Sequence, residues 1–189
     1  MATQLSTREE VVDTLMQVFR DHGYDGASLS MLSEATGLGR SSLYHYFPNG
    51  KADMGTAVLA RASEFVRQNM LAPLQEEGDP RARIDRFAAA LDTFYAGGKN
   101  ACLTNVFAVG EAGALFGERL GERLQILINA LAGVARDAGR SDAEAQRSAE
   151  DVVIAIHGAL VVSHAMGNTA TFQRIAGELP ARLLGHPAT

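Results

Sequence analysis

The sequence predicts an all-α fold of about nine helices, and three observations carry that prediction. β-Branched residues are sparse, while Ala, Leu, Glu, Gln and Arg, all good helix formers, are plentiful. Apolar residues recur at three- and four-residue spacings, with no strand-like alternation. Two Ser/Thr-x-x-Glu boxes, Thr7 to Glu10 and Ser141 to Glu144, mark helix starts in the front and the rear of the chain.

From the first box, Val12, Leu15, Met16 and Phe19 form one apolar stripe, Gly23 stops the helix, and Tyr24 covers its end. Asp25-Gly26 makes a turn, and Ser28 caps a short second helix with Leu29, Leu32 and Ser33 inward. After the tight Thr36-Gly37-Leu38-Gly39 turn, a third helix from about 40 to 46 carries Leu43 inward and closes at Pro48. A fourth starts near Lys51 and runs to about 72, where Pro73 ends it. Asp79 and Pro80 open a fifth, which reaches about Tyr95 and stops at Gly97-Gly98. A sixth starts near Asn100, and Gly110, Gly113 and Gly117 leave its end open. A seventh spans about 114 to 138, an eighth 141 to 166 and a last 170 to 184, where Pro180 is a point for a kink.

Composition narrows the function. The 189 residues are 47% hydrophobic, enough to bury a sizeable core. The longest apolar stretch, Val152 to Met166, is shorter than the ~18 residues a membrane span needs, and it carries His157 and His164. Thr7 to Glu10 is charged where a secretory leader would be apolar. A soluble cytoplasmic protein with no membrane partner is expected. The single Cys102 cannot form an intramolecular disulfide and fits either a small core residue or a redox group. No phosphate loop, nucleophile elbow or carboxylate-histidine motif is present, so no enzyme and no cofactor are expected. His157 and His164 lie seven apart, whereas helical metal ligands sit three or four apart; they fit pocket or interface histidines, and no metal is expected.

The net charge of −5 argues against indiscriminate attraction to nucleic acid. Its distribution matters more. Five of the six acids in the first 51 residues (Glu9, Glu10, Asp13, Asp21, Asp25 and Glu34) precede Ser28, and no acid falls between Glu34 and Asp53. Arg40 and Lys51 lie inside that acid-free window.

The window overlaps the most informative segment, Ser28 to Lys51. A helix-turn-helix needs a small residue where its helices cross, a glycine about four positions on for the turn, and apolar residues on both sides. Ser33 and Gly37 meet the first two needs, and Leu32, Leu38 and Leu43 meet the third. The following helix then offers Arg40, Ser41, Ser42, Tyr44, His45 and Tyr46, a set of donors and aromatics suited to phosphates and base edges. Tyr44 and Tyr46 fit equally the packing that closes a small domain.

Phe19-x3-Gly23-Tyr24, Thr36-Gly37-Leu38 and Leu43-Tyr44-His45-Tyr46-Phe47 followed by a lysine resemble the N-terminal domain of the tetracycline-repressor (TetR) family, over roughly residues 8 to 55. Two departures stand out. Gly39 replaces the usual Ser or Thr cap of the reading helix, and the Phe47-Pro48-Asn49-Gly50-Lys51 loop is one residue longer than the commoner form, as in the FPxGK branch. The resemblance implies a DNA-binding domain over residues 1–50 and a ligand-binding and dimerisation domain over 51–189. It implies that Ser28 caps its helix and meets a phosphate, that Arg40, Ser41 and Tyr44 face the major groove, that Ser42, Tyr46 and Lys51 grip phosphates, and that His45 does either. It also implies a ligand-responsive regulator, most often a repressor, released from a palindromic double-stranded operator by a small, largely apolar effector. A helical carrier or scaffold of the same fold that binds no DNA is the alternative.

For the rear domain the resemblance implies an effector pocket and a homodimer made by the last two helices. Phe65, Phe87, Phe94, Tyr95, Phe107, Phe116 and His157 are the pocket candidates, and each aromatic fits plain core as well. The apolar residues of 152–162 nearly encircle their helix, as expected of a helix buried on two sides. Val153, Ile156, Leu160, Ser163 and His164 are the candidates for the dimer face.

Overall fold

The computed structural model describes residues Thr7 to Gly185. In chain order the helices are α1 (Arg8–His22), α2 (Leu29–Thr36), α3 (Arg40–Tyr46), α4 (Lys51–Phe65), α5 (Ala72–Gln75), α6 (Pro80–Phe94), α7 (Leu103–Phe107), α8 (Gly110–Asp137), α9 (Asp142–Met166) and α10 (Ala170–Leu184). A π-helical segment, Val66–Leu71, joins α4 to α5 without a break. With those three counted as one, the described residues hold nine helices and no strand. The fold is all-α.

Two compact units emerge. The first holds the chain up to Glu64 and again Leu103–Gly117; the second holds Phe65–Cys102 and the chain from Glu118 onward. The boundary expected at residue 50 falls inside the first unit, which takes in α4 as far as Glu64 and a later return of the chain at Leu103–Gly117.

In the first unit, α1 starts at the expected box: Thr7 Oγ1 accepts the Glu10 N–H at 3.2 Å, and the Thr7 N–H donates to Glu10 Oε2 at 2.7 Å. Phe19, Tyr24, Phe107 and Phe116 form a ring cluster with contacting centroids 5.3 to 5.7 Å apart, mostly edge to face. Gly55 closes α4 onto it. A Cβ there would lie 3.0 Å from ring atoms of both Phe116 and Tyr24 and 3.2 Å from Phe107. Burial, with the nearby charges of Glu111 and Asp25, raises the Tyr24 pKa, so its phenol stays protonated at neutral pH.

The start of α8 corrects the expectation of a helix beginning near residue 114. It begins at Gly110, whose positive φ of 62° turns the chain, and Asp25 Oδ2 accepts the Glu111 N–H at 3.2 Å. Gly113 and Gly117 lie inside the helix.

In the second unit, α10 packs on α9 and on α6. Ser141 and Glu144 form the expected capping box, and Gly167 ends α9 in the left-handed conformation. Pro73 does not stop the fourth helix. The widened π turn before it makes room for the proline ring, and the Asn69 side-chain amide donates to the Phe65 carbonyl at 3.0 Å. By length and hydropathy α9 passes the test for a membrane span, with a mean hydropathy of 1.3 over its most apolar window, which the shorter apolar stretch in the sequence does not reveal. Its Val152, Val153, Ile156, Ala159 and Leu160 are nevertheless buried in the core of this unit.

Arg83 ties the second unit together. It is almost wholly buried, donates through Nε (3.1 Å) and Nη2 to the Leu74 carbonyl at the end of α5, and pairs through Nη1 with Asp137 of α8 at 2.6 Å. Arg83→Met keeps the bulk but leaves the buried carbonyl without a donor. It is expected to lower the free energy of unfolding by about 2–3 kcal/mol, measured by urea denaturation; a change below ~0.5 kcal/mol would deny Arg83 this role.

Candidate nucleic-acid interface

Local hydrogen bonds set the α2–α3 crossing. Ser28 Oγ accepts the Met31 N–H at 3.2 Å and starts α2. Gly37 ends it at φ 66°, ψ 9°, a left-handed turn that favours glycine. The Ser33 hydroxyl then donates to the Leu38 carbonyl at 2.6 Å, and Thr36 donates to the Leu32 carbonyl at 2.7 Å, which pins the turn back onto the helix. Leu32 and Leu43 are buried and hold the two helices to the core. α3 starts at Gly39 with no side-chain cap, as its sequence indicates.

This geometry leaves Arg40, Ser41, Ser42, Tyr44 and His45 exposed on α3, together with Ser28 at the start of α2. The Arg40 guanidinium is not loose: Nη2 donates to Ser30 Oγ at 2.9 Å. Tyr44 is 45% exposed, yet its ring lies against Gly50, where a Cβ would come within 3.3 Å of Cε1. Gly50 also has φ 64°, so the longer loop both demands a glycine and seats the tyrosine. Asp53 closes that loop by accepting from the Asn49 backbone (2.8 Å) and side-chain amide (3.2 Å).

Two of the expected phosphate residues sit further in. Tyr46 is half-buried and lines a groove with Arg8, Phe47, Thr56 and Arg61, its ring near His45 and Phe47. Lys51 reaches the Tyr24–Asp25 turn: Nζ is 3.4 Å from the Asp25 carbonyl oxygen and 4.7 Å from the Tyr24 ring centroid. Sequence reasoning missed Ser30, Asp25 and Gly50. For Gly50 the Asn-Gly pair carried a usable signal for positive φ; for the other two the partners are far away in sequence.

The rear candidates divide between the units. Phe107 and Phe116 belong to the ring cluster of the first unit, whereas the other aromatic candidates lie in the second. Phe87 is fully buried in the core of the second unit. Phe65 stacks on Phe94, and Phe94 on Tyr95 edge to face, at 5.1 and 5.0 Å. The Tyr95 hydroxyl is 3.4 Å from Cys102 Sγ. His157 is half-buried near the same sulfur: burial pushes its pKa down, and the hydrogen bond and charge of Cys102 together outweigh that and raise it. Among the described residues no three His, Cys, Asp or Glu side chains gather as metal ligands.

The dimer candidates need a correction. Val153, Ile156, Leu160 and Ser163 are buried within the second unit, and the Ser163 hydroxyl accepts the Phe172 N–H at 3.0 Å at the start of α10. Of the five, only His164 is exposed. The large apolar side chains α9 leaves in solvent are Ile154, Val161, Val162 and Met166.

Known proteins share both sequence and fold with this chain. LmrA of Bacillus subtilis, a helix-turn-helix transcriptional regulator, is 23% identical over 92% of this chain and 95% of its own. The uncharacterised regulator YxaF of the same species is 28% identical over 46% of each chain. The transcriptional repressor AcnR of Corynebacterium glutamicum is 34% identical over 35% of this chain and 37% of its own. In fold the chain is similar to a TetR transcriptional regulator from Legionella pneumophila, with a TM-score of 0.77, 18% identity and coverage of 94% and 97%. It is also similar to a cysteine mutant of the TetR-family regulator CifR crystallised with 26-base-pair operator DNA, with a TM-score of 0.76, 17% identity and coverage of 95% and 98%.

Two helices crossed at a left-handed glycine, the second presenting arginine, hydroxyls and an aromatic free of acids, define a helix-turn-helix DNA-binding transcriptional regulator. Residues 11–58 match the model of bacterial regulatory proteins of the tetR family. Over those residues the chain carries the DNA-binding domain of that family, and the relatives and solved structures it resembles are transcriptional regulators.

The seating of Tyr44 on Gly50 has a direct consequence. Gly50→Ala forces a left-handed alanine and a tight contact with the ring; the expected loss is about 1–2 kcal/mol of stability, read by thermal or urea unfolding. An alanine variant as stable as the parent would contradict the strain at this position.

Proposed function

We propose that the chain is a cytoplasmic repressor that binds a palindromic operator as a homodimer and releases it when a small, largely apolar effector binds the second unit. The observation that carries this reading is the acid-free α3 face, with Arg40 and Tyr44 each held in place by a neighbour. With a net charge of −5, affinity has to come from that narrow face presented twice, about one DNA turn or ~34–36 Å apart. Arg40 is the candidate for a bidentate guanine contact, Ser41 and Tyr44 for base edges, and Ser28, Ser42 and His45 for phosphates. The exposed Ile154, Val161, Val162 and Met166 of α9 offer an apolar surface for a second copy.

Release has a route through the chain itself. α8 starts inside the first unit, where Asp25 accepts from Glu111 and Phe116 packs on Tyr24, and then continues into the second unit. The effector need prefer the released state by only a few kcal/mol to empty an operator.

Arg40→Ala and Tyr44→Ala are both expected to cut operator affinity at least tenfold, from about 1–3 kcal/mol per lost base contact, with unchanged thermal unfolding. Fluorescence anisotropy on duplexes from the DNA flanking the gene, at one stated salt concentration, provides the measurement. Normal affinity in both variants would overturn the assignment of α3, and no duplex binding by the parent would favour the carrier alternative.

A further inference from the structure

We propose that Ser30 selects which edge of the Arg40 guanidinium meets the base, which makes this α2 serine a specificity-determining residue of the reader; the proposal rests on the DNA-binding role of α3 given above. Ser30 is the second residue of α2 and Arg40 the first of α3, and the two meet only because the Gly37 turn and the Ser33–Leu38 hydrogen bond fix the crossing. Across 2.9 Å, Arg40 Nη2 donates to Ser30 Oγ.

A guanidinium has two bidentate edges. One pairs Nε–H with a hydrogen of Nη2, and the other pairs Nη1–H with the second hydrogen of Nη2. Both edges need Nη2. A hydroxyl that takes one of its hydrogens therefore removes one edge and leaves the other intact. Held in this way, Arg40 presents a single donor pair, in one orientation, to the N7 and O6 acceptors of a guanine. Released, it could turn either edge to a base or swing to a phosphate, which carries no sequence information. The chemistry of the partner matters as well. A carboxylate at position 30 would take the same hydrogen but cancel the charge that draws the face to DNA. A neutral hydroxyl orients the charge and leaves it whole, in keeping with the absence of acids between Glu34 and Asp53. Water competes for this exposed bond in the free protein, so its effect is felt when the interface closes over it.

The test uses the full-length parent, Ser30→Ala, Ser30→Thr and Arg40→Ala. Each is selected against a randomised double-stranded DNA library at one salt concentration and sequenced, and anisotropy then gives affinities for the selected duplex and a scrambled one. Arg40→Ala should flatten the preference at one position per half-site. Ser30→Ala should lower the guanine preference at that same position by about three- to tenfold, the range one hydrogen bond provides. Other positions and the scrambled duplex should be unaffected, and Ser30→Thr, which keeps the hydroxyl, should behave as the parent. The proposal is overturned if Ser30→Ala keeps the parental preference at the position Arg40 reads, or weakens all sequences equally as a phosphate contact would. If Arg40→Ala changes no position, the assignment of α3 itself has failed, and the proposal goes with it.

Discussion

The left-handed turn at Gly37 sets the angle between α2 and α3, and the distances across the exposed face follow from that angle. Ser33 and Thr36 spend their hydroxyls on backbone carbonyls of the same turn, so the crossing is fixed by bonds inside a stretch of seven residues. Because it is fixed, Ser30 can reach Arg40 from ten positions away, and Leu43 can enter the core while Tyr44 stays outside. Gly50 completes the frame from the far end of α3 by giving the Tyr44 ring a flat seat.

Behind that face, the missing side chain of Gly55 lets Tyr24, Phe107 and Phe116 close on α4. The cluster brings residues from positions 103 to 117 into the same compact unit as the reading helices. The compact unit that holds α2 and α3 therefore extends past residue 50 and takes in the chain where it returns at Leu103–Gly117.

Much of the helix layout was legible wherever its signals are local. The capping residues Thr7, Ser28 and Ser141, the turn at Gly37 and the inward Leu32 and Leu43 all act on neighbours within a few positions, so residue type and spacing reveal them. The rest depends on distant partners. The cap that starts α8 at Gly110 is Asp25, eighty-six positions before the Glu111 it binds, and no local pattern announces it. Phe107 and Phe116 carry nothing in sequence to say that they pack on Phe19 and Tyr24. On α9 the apolar girth is visible in the sequence, but which side faces the core is not: Val153, Ile156, Leu160 and Ser163 are buried within the second unit. Pro73 misled for a related reason: a proline ends a regular α-helix, and the π turn that accommodates it has no sequence signature of its own.

The central claim is that DNA meets this protein on the α2–α3 face. Amide hydrogen exchange of the full chain, with and without a duplex selected from a randomised library, tests it directly. The account predicts slowed exchange at residues 28–31 and 40–51 on adding DNA, with α9 unchanged. Protection confined to other segments, with α2 and α3 exchanging as in the free protein, would contradict it.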